Sequence, residues 1–289
     1  MNGNNKDGGL HARILGAQIF RNAICIFLCI LSLIPFWIMI VNATRTSVDI
    51  QQSFSMIPSK YFSQNWKNLL YQAAQNVSLW RYMGNSLFIA VGSTALAVYF
   101  STMTAYGVTV YKFKGSNFAW AFIMAIMMIP VQVSTIGFFR FMYKVGWGNS
   151  YWPLIVPAIA SPATVFFMRQ YMISALPLEI LDSARIDGSG EFRTFNTIAV
   201  PLMKPAIATQ CIFAFIGSWN NFYTPSMLLT SQAKFTLPMF VQQMRGERFR
   251  SDPGIIYAGL VVTIMPIFVV YFILSKYIIA GVALGGVKE

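Results

Sequence analysis

The stretch 22–44, NAICIFLCILSLIPFWIMIVNAT, runs for 23 positions between Arg21 and Arg45 without one charged side chain. A helix needs about 20 mainly apolar residues to cross the hydrocarbon core of a bilayer, so this stretch is long enough to span it. Five more stretches between consecutive charges exceed twenty residues: 82–111, 115–139, 145–168, 205–233 and 253–275. The next longest, 68–80, has only thirteen. Six spans and no seventh are predicted, in an all-α integral membrane protein.

The composition points the same way. Of 289 residues, 56% are hydrophobic and 10% charged, and the mean hydropathy is +0.57. A water-exposed domain carries about 25% charged residues, so soluble enzymes, nucleic-acid binders and secreted domains are excluded. The net charge of +12 sits in short loops beside apolar spans, where topology and lipid headgroups account for it. Membrane lipid, and no nucleic acid, is the partner this charge implies. The first span exceeds the 7–15 residues of a signal-peptide core and follows a 21-residue polar leader, so it is expected to stay in the membrane.

The walk along the chain gives a leader 1–21, expected to be loosely ordered, and a six-helix transmembrane domain 22–280. The spans run about Asn22–Asn42, Asn85–Tyr111, Phe118–Tyr143, Tyr151–Met172, Pro205–Leu229 and Gly254–Ile279. A short Gly-rich tail, 281–289, follows. The connection 43–83 is expected to be helical around Asn65–Tyr71. Pro130, Pro157, Pro162, Pro225 and Pro266 interrupt spans; broken helical hydrogen bonding in lipid is tolerated against protein or a water-lined cavity, and such breaks mark transport pathways or simple kinks. Cys25, Cys29 and Cys211 are too scattered for a disulfide framework and read as small core residues.

All nine carboxylates lie outside the spans, and the one histidine, His11, is in the leader. Proton- or ion-coupled carriers commonly need intramembrane acids or histidines. One His and three scattered Cys make no metal site, and no nucleophile–His–acid arrangement is available. The dipeptide Gly-Lys of a phosphate-binding loop does not occur. The chain is therefore read as a non-enzyme without a cofactor of its own. It is a passive channel, or another subunit supplies the energy; a carrier with sodium sites built from carbonyls and hydroxyls stays open.

The largest charged block, 176–204, reads LPLEILDSARIDGSGEFRTFNTIAVPLMK. Pro177 opens a helix with Glu179 and Asp182 near its positive end. Asp187-Gly188 stops it, the glycine supplying a positive φ. Ser189 is expected to cap a second helix that Pro201 ends. Leu178, Ile180, Leu181, Ile186, Phe192, Phe195 and Ile198 are expected to cover one side of a helix–turn–helix lying on a membrane surface. Such an element suits docking into a groove of another protein.

In its order and spacing the block resembles the EAA loop of ATP-binding-cassette importer permeases. Asp182-Ser183-Ala184 stands in the E-A-A place, Gly188 follows at the right interval, and Ile198-Ala199-Val200-Pro201 closes the motif. The departures are Asp for Glu, Ser for Ala and Val for Leu. Asn85-Ser86-Leu87, Ala105-Tyr106-Gly107, Phe113-Lys114-Gly115, Met128-Ile129-Pro130, Phe166-Phe167-Met168-Arg169-Gln170 and Ser218-Trp219-Asn220-Asn221-Phe222 narrow the resemblance to the carbohydrate branch, the second permease of maltose-like systems. It covers about Asn65 to the C-terminus.

The resemblance implies a multi-pass protein of a bacterial or archaeal cytoplasmic membrane, with both termini and block 176–204 cytoplasmic. Lys and Arg do not vote on this: eleven lie on the termini side and ten opposite. It further implies a second, homologous permease subunit, an extracytoplasmic sugar-binding protein, and a cytoplasmic ATPase dimer that carries ATP and Mg. Asp182, Ser183, Ala184, Asp187, Gly188, Ile198 and Pro201 would couple to that ATPase. Gln242, Gln243, Arg245 and Arg248 on loop 231–252 would meet the binding protein, or be simply solvated. Phe166, Phe167, Trp219, Asn220, Asn221, Phe222 and Tyr223 offer ring faces and amides suited to a di- or oligosaccharide pathway, against ordinary helix packing. Another solute, such as a glycerol-phosphate compound, is the alternative; it would favour basic residues lining spans 3–5, where only Arg140 and Arg169 lie, near the ends. A stand-alone carrier or channel is the other.

Overall fold

The computed structural model describes residues 4–111, 113–246 and 252–285, with side chains between 15 and 278 except that of Val131. Among these residues every regular element is helical. In chain order they are α1 (Asn4–Ala43), α2 (Ser47–Gln52), α3 (Phe62–Ala74), α4 (Leu79–Val110), α5 (Ser116–Met127), α6 (Val131–Lys144), α7 (Trp152–Ile155), α8 (Pro162–Ala175), α9 (Leu178–Ile186), α10 (Glu191–Thr194), α11 (Val200–Leu202), α12 (Lys204–Trp219), α13 (Tyr223–Leu228), α14 (Leu237–Gln243) and α15 (Pro253–Gly285).

Four helical stretches are long and apolar enough to cross a membrane: Leu15–Ala43, Leu79–Val110, Trp152–Ala175 and Pro253–Ile278. Two bent pairs raise the number to six if each counts as one span: Ser116–Met127 with Gln132–Lys144, bent by 98°, and Glu191–Leu202 with Lys204–Trp219, bent by 82°. Prolines set several of the breaks. Pro130 has no N–H to continue the ladder and becomes the extended residue before α6. Pro157 lies in a 3₁₀ turn, Val156–Ile159, and Pro162 opens α8, where a missing N–H costs nothing. The fifth stretch stops at Trp219 instead of running to Leu229, because Asn220-Asn221-Phe222 leaves the helix before α13.

Two sequence expectations are corrected. The leader is helical from Asn4, since Leu10–Arg21 is rich in good helix formers such as Ala12, Arg13, Leu15 and Gln18. Cys25 and Cys29 are exposed and Cys211 half-buried, so none is a core residue; the first two lie on an apolar window only 6% of which is buried within the chain.

The chain forms two compact units, Met1–Leu69 with Phe249–Val261, and Leu70–Arg248 with Val262–Glu289. In the first, Asn65 ties the end of α1 to the start of α15. Its amide donates to the carbonyls of Ala43 (2.8 Å) and Arg45 (2.9 Å). Gly254 sits so close that a Cβ would lie 2.9 Å from that amide and 3.0 Å from the Arg45 carbonyl. Ser47 Oγ donates to Asp252 and accepts from the Gly254 N–H, while Asp252 also accepts from the Ile255 N–H and so caps α15.

The second unit is built on α4. Its buried side recurs every three or four residues: Tyr82, Asn85, Ser86, Ile89, Ala90, Ser93, Thr94, Ala97, Val98, Ser101, Thr102, Ala105 and Tyr106. Mostly small, these side chains let neighbouring backbones approach closely, the usual way helices associate where lipid removes the hydrophobic drive. α8 and α12 pack on this stripe. Ser93 Oγ donates to Ser218 Oγ on α12 at 2.8 Å, and Ser101 Oγ reaches the Ser161 carbonyl at 3.4 Å. At the other end, Asn85 donates to the carbonyls of Ala233 (3.0 Å) and Phe235 (2.9 Å), which fixes the segment before α14.

Candidate functional site

The block 176–204 folds as two helical arms around a glycine turn. α9 starts after extended Pro177, with Glu179 in its first turn. At its end Gly188 has φ +78°, the Ser189 N–H donates to the Ala184 carbonyl (2.9 Å), and the Gly188 N–H donates to the Arg185 carbonyl (3.0 Å). That pair of bonds is a Schellman closure, which needs a residue tolerating positive φ at its hinge. α10 then starts from Gly190, not from a Ser189 cap; the Ser189 hydroxyl instead accepts from Thr194 Oγ1 at 2.9 Å. The arm does not end at Pro201. A π-helical turn, Phe195–Ala199, takes up an extra residue so that the ladder passes the proline, and helix continues to Leu202.

The apolar residues of the block divide between inside and outside, instead of covering one side. Leu181, Phe195, Ala199 and Met203 join Ala105, Tyr106, Val165, Met168, Met172, Leu176 and Ala206 in one buried cluster, with Ile198 packed against it. Leu178 and Ile180 remain exposed, and Ile186 and Phe192, at 87% and 69% exposure, flank the turn. Phe195 turns inward, 2% exposed, while Phe192 one turn earlier faces out. Ala184 is buried, whereas Asp182, Ser183, Asp187, Gly188 and Pro201 are exposed. Two exposed apolar side chains, Ile186 and Phe192, beside a polar turn make a surface suited to a protein groove.

One guanidinium braces the turn. Arg185 Nε donates to Glu191 Oε1 and its Nη1 to Asp182 Oδ1, both at 2.8 Å, and Nη2 approaches Glu191 Oε2 at 3.4 Å. Tyr106 on α4 donates to Glu191 Oε2 at 3.5 Å, and the guanidinium lies 5.7 Å from the centre of the Tyr111 ring. The Arg185 donation holds the Glu191 carboxyl below the usual carboxylate range, with help from Tyr111. Burial, then the Glu191 hydrogen bond, pushes the Tyr111 phenol up to about 12. The cluster lines a cleft of about 390 Å³ with Val110, Leu178 and Leu181. The sequence reading missed Arg185 and Glu191 as a pair; their opposite charges six residues apart across a glycine were the available signal.

The residues singled out for a pathway do not share one cavity. Phe166 stacks on Trp120 (centroids 6.1 Å, 13° between planes). Phe167, half exposed, lines a cleft of about 280 Å³ with Tyr171, Pro205, Ala206, Thr209, Gln210 and Ile278. Trp219 is 1% exposed; it stacks on Phe215 and donates its indole N–H to the Thr263 carbonyl at 2.9 Å. Asn221 accepts from the Thr224 N–H at 3.1 Å, turning the chain into α13, while Asn220, Phe222 and Tyr223 are exposed. Gln210, buried within α12 and lining the cleft with Phe167, was not singled out, because one amide in an apolar run carries little signal. Gln242 and Gln243 lie exposed on α14 and Arg245 just after it; Arg248 lies outside the described residues. α14 is anchored beneath them by Phe240, which stacks on Tyr82 at 4.6 Å.

Residues 97–283 match a protein family described as binding-protein-dependent transport system inner membrane component. The chain is 34% identical over 262 residues to the arabinooligosaccharides transport system permease protein AraQ of Halalkalibacterium halodurans, covering 91% of this chain and 93% of that one. It is 28% identical to the trehalose/maltose transport system permease protein MalG of Thermococcus litoralis, over 91% and 94%. Its fold is similar, at TM-score 0.75 and 20% identity, to a chain of a solved bacterial ABC transporter involved in the import of the acidic polysaccharide alginate, covering 91% of this chain and 97% of that one.

Proposed function

Because the chain belongs to the family of binding-protein-dependent transport system inner membrane components, we propose that it forms, with a second homologous permease, the membrane pathway of a sugar importer. The chain is a transport component of a membrane, not an enzyme. A di- or oligosaccharide is the substrate this reading favours, supported by relatives named for arabinooligosaccharides and for trehalose/maltose. The six spans are then α1, α4, α5 with α6, α7 with α8, α12 with α13, and α15. Both termini and block 176–204 face the cytoplasm. An extracytoplasmic binding protein delivers the sugar near α14, and a cytoplasmic ATPase dimer, holding ATP and Mg, drives the cycle.

The observation that carries the coupling role is the braced turn with exposed Ile186 and Phe192 around it. Its buried side is continuous with the cluster between α4, α8 and α12, so a push on the turn is transmitted through packed side chains to the helices. Asp182, Ser183, Asp187 and Gly188 stand exposed for the ATPase. The test is a mild-detergent pull-down of the tagged chain from its native membranes. A second multi-span permease together with an ATPase carrying a phosphate-binding loop is the expected result. Recovery of the chain alone in several detergents overturns the importer reading.

A further inference from the structure

Arg169, on α8, is a cation without an anion. Among the described residues the ion pairs found are those of Arg185, and the Arg169 Nε is enclosed with no hydrogen-bond partner. Its guanidinium lies 4.1 Å from the centre of the Trp120 ring, which is itself stacked on Phe166. A ring face offsets part of the desolvation cost of a cation, but it satisfies none of the five N–H donors.

The donors around Arg169 converge. A cleft of about 560 Å³ is lined by Thr109, Arg169, Met172, Ile173 and the turn from Ser174 to Glu179. The Thr109 hydroxyl is also buried without a partner. α9 opens into the same cleft, and its first residues receive no side-chain cap because Pro177 precedes them; the first-turn N–H groups of a helix favour an anion. The one carboxylate on the rim, Glu179, is exposed and free to turn to solvent. Several donors without an internal acceptor ask for a group with several oxygens and negative charge. Met172, Ile173 and Leu176 give the cleft an apolar wall. α5, which carries Trp120, has no buried residue and presents Phe118 and Phe122 outward at 77% and 57% exposure, a surface suited to acyl chains.

We propose that the cleft at Arg169 is a phosphate-binding site that takes the headgroup of an anionic glycerophospholipid, with Arg169 held flat on Trp120 as its principal ligand. Basic pockets between membrane helices bind such headgroups, and the planar guanidinium matches two phosphate oxygens at once. The cytoplasmic leaflet as the source rests on the orientation given under the proposed function; binding itself does not.

The full chain, purified in an uncharged detergent with whatever subunits accompany it, is titrated with phosphatidylglycerol, phosphatidylcholine and inorganic phosphate, and bound molecules are counted by native mass spectrometry. Phosphatidylglycerol is expected to bind at least about tenfold more tightly than phosphatidylcholine, and Arg169→Gln to remove that preference. Equal binding of the two lipids, or an unchanged preference in Arg169→Gln, overturns the proposal. Displacement of phosphatidylglycerol by low-millimolar phosphate also overturns the lipid assignment, leaving a soluble phosphate as the ligand. If Arg169→Gln fails to fold, Arg169→Lys and Thr109→Val carry the same test, since each keeps the charge and removes one part of the donor set. The assay reads lipid in detergent and no transport, so its failure leaves the importer reading intact, and the reverse holds.

Discussion

Arg185 grips Glu191 at 2.8 Å across the Gly188 turn, so the two arms of the charged block are held at their hinge by one guanidinium. The same guanidinium holds Asp182, and Tyr106 ties Glu191 to α4. The turn is therefore stiff where a neighbouring subunit would press on it.

Glu191→Gln keeps the shape and removes the charge. With side chains 31% and 40% exposed, the pair contributes no more than about 1 kcal/mol to stability, so thermal unfolding should shift little. Substrate uptake into vesicles should fall several-fold while nucleotide hydrolysis by the assembly persists. Uptake equal to that of the parent chain would remove the bracing role. The pH sign follows from the lowered carboxyl. The contribution of the pair is full above the carboxylate's ordinary value and is lost as pH falls through the lower folded one, so uptake should be flat across neutral pH.

Gly188→Val places a β-branched residue at φ +78°, a strain of about 1–2 kcal/mol. Nothing crowds the position, so the effect comes from the backbone alone. The expected result is an assembled but uncoupled transporter, with Gly188→Asn milder because Asn tolerates this region. Uptake assays beside pull-downs separate the two.

Asp182→Lys and Ile186→Asp act on the exposed side of the turn and leave the buried cluster whole. Both should weaken retention of the ATPase subunit in a pull-down, the second with unchanged thermal unfolding. Normal co-purification of both variants would move the docking surface elsewhere.

Gly254→Ala forces a methyl group to within 2.9 Å of the Asn65 amide and 3.0 Å of the Arg45 carbonyl. Overpacking of this kind costs about 1–3 kcal/mol, and here it also strains two hydrogen bonds of Asn65. A lower unfolding temperature in detergent is expected, and an unchanged one would remove the close approach from the account of this unit.

Trp219→Phe removes the indole hydrogen bond to the Thr263 carbonyl, a net loss of about 0.5–1.5 kcal/mol. If Trp219 acts in packing, stability falls and the KM for sugar holds. A raised KM at unchanged stability would place its ring in the pathway.

Spacing between charges located α1, α4 and α15 well, because long unbroken apolar runs leave one physical option in lipid. It overran where prolines and the Asn220-Asn221 step divide a run into short helices, since the cost of each break depends on neighbours that the local sequence does not name. Gly188 was legible as a turn from Asp-Gly alone. The opposite fates of Phe192 and Phe195 were not, because both are large apolar residues one helical turn apart and only the packing of Phe195 against Tyr106 and Tyr99 separates them. Arg169 on Trp120 was also hidden: 49 residues separate them, and the contact exists only through the packing of α5 on α8.

The stripe along α4 has a mechanical consequence. Alanines, serines and threonines interlock without long side chains that could swap rotamers and let one helix slide past another. Hydroxyl pairs such as Ser93 with Ser218 act as pins in that joint. Under the proposed importer function, α4, α8 and α12 are expected to move together as a single girder, with flexing at the jointed segments around Pro130 and Asn220.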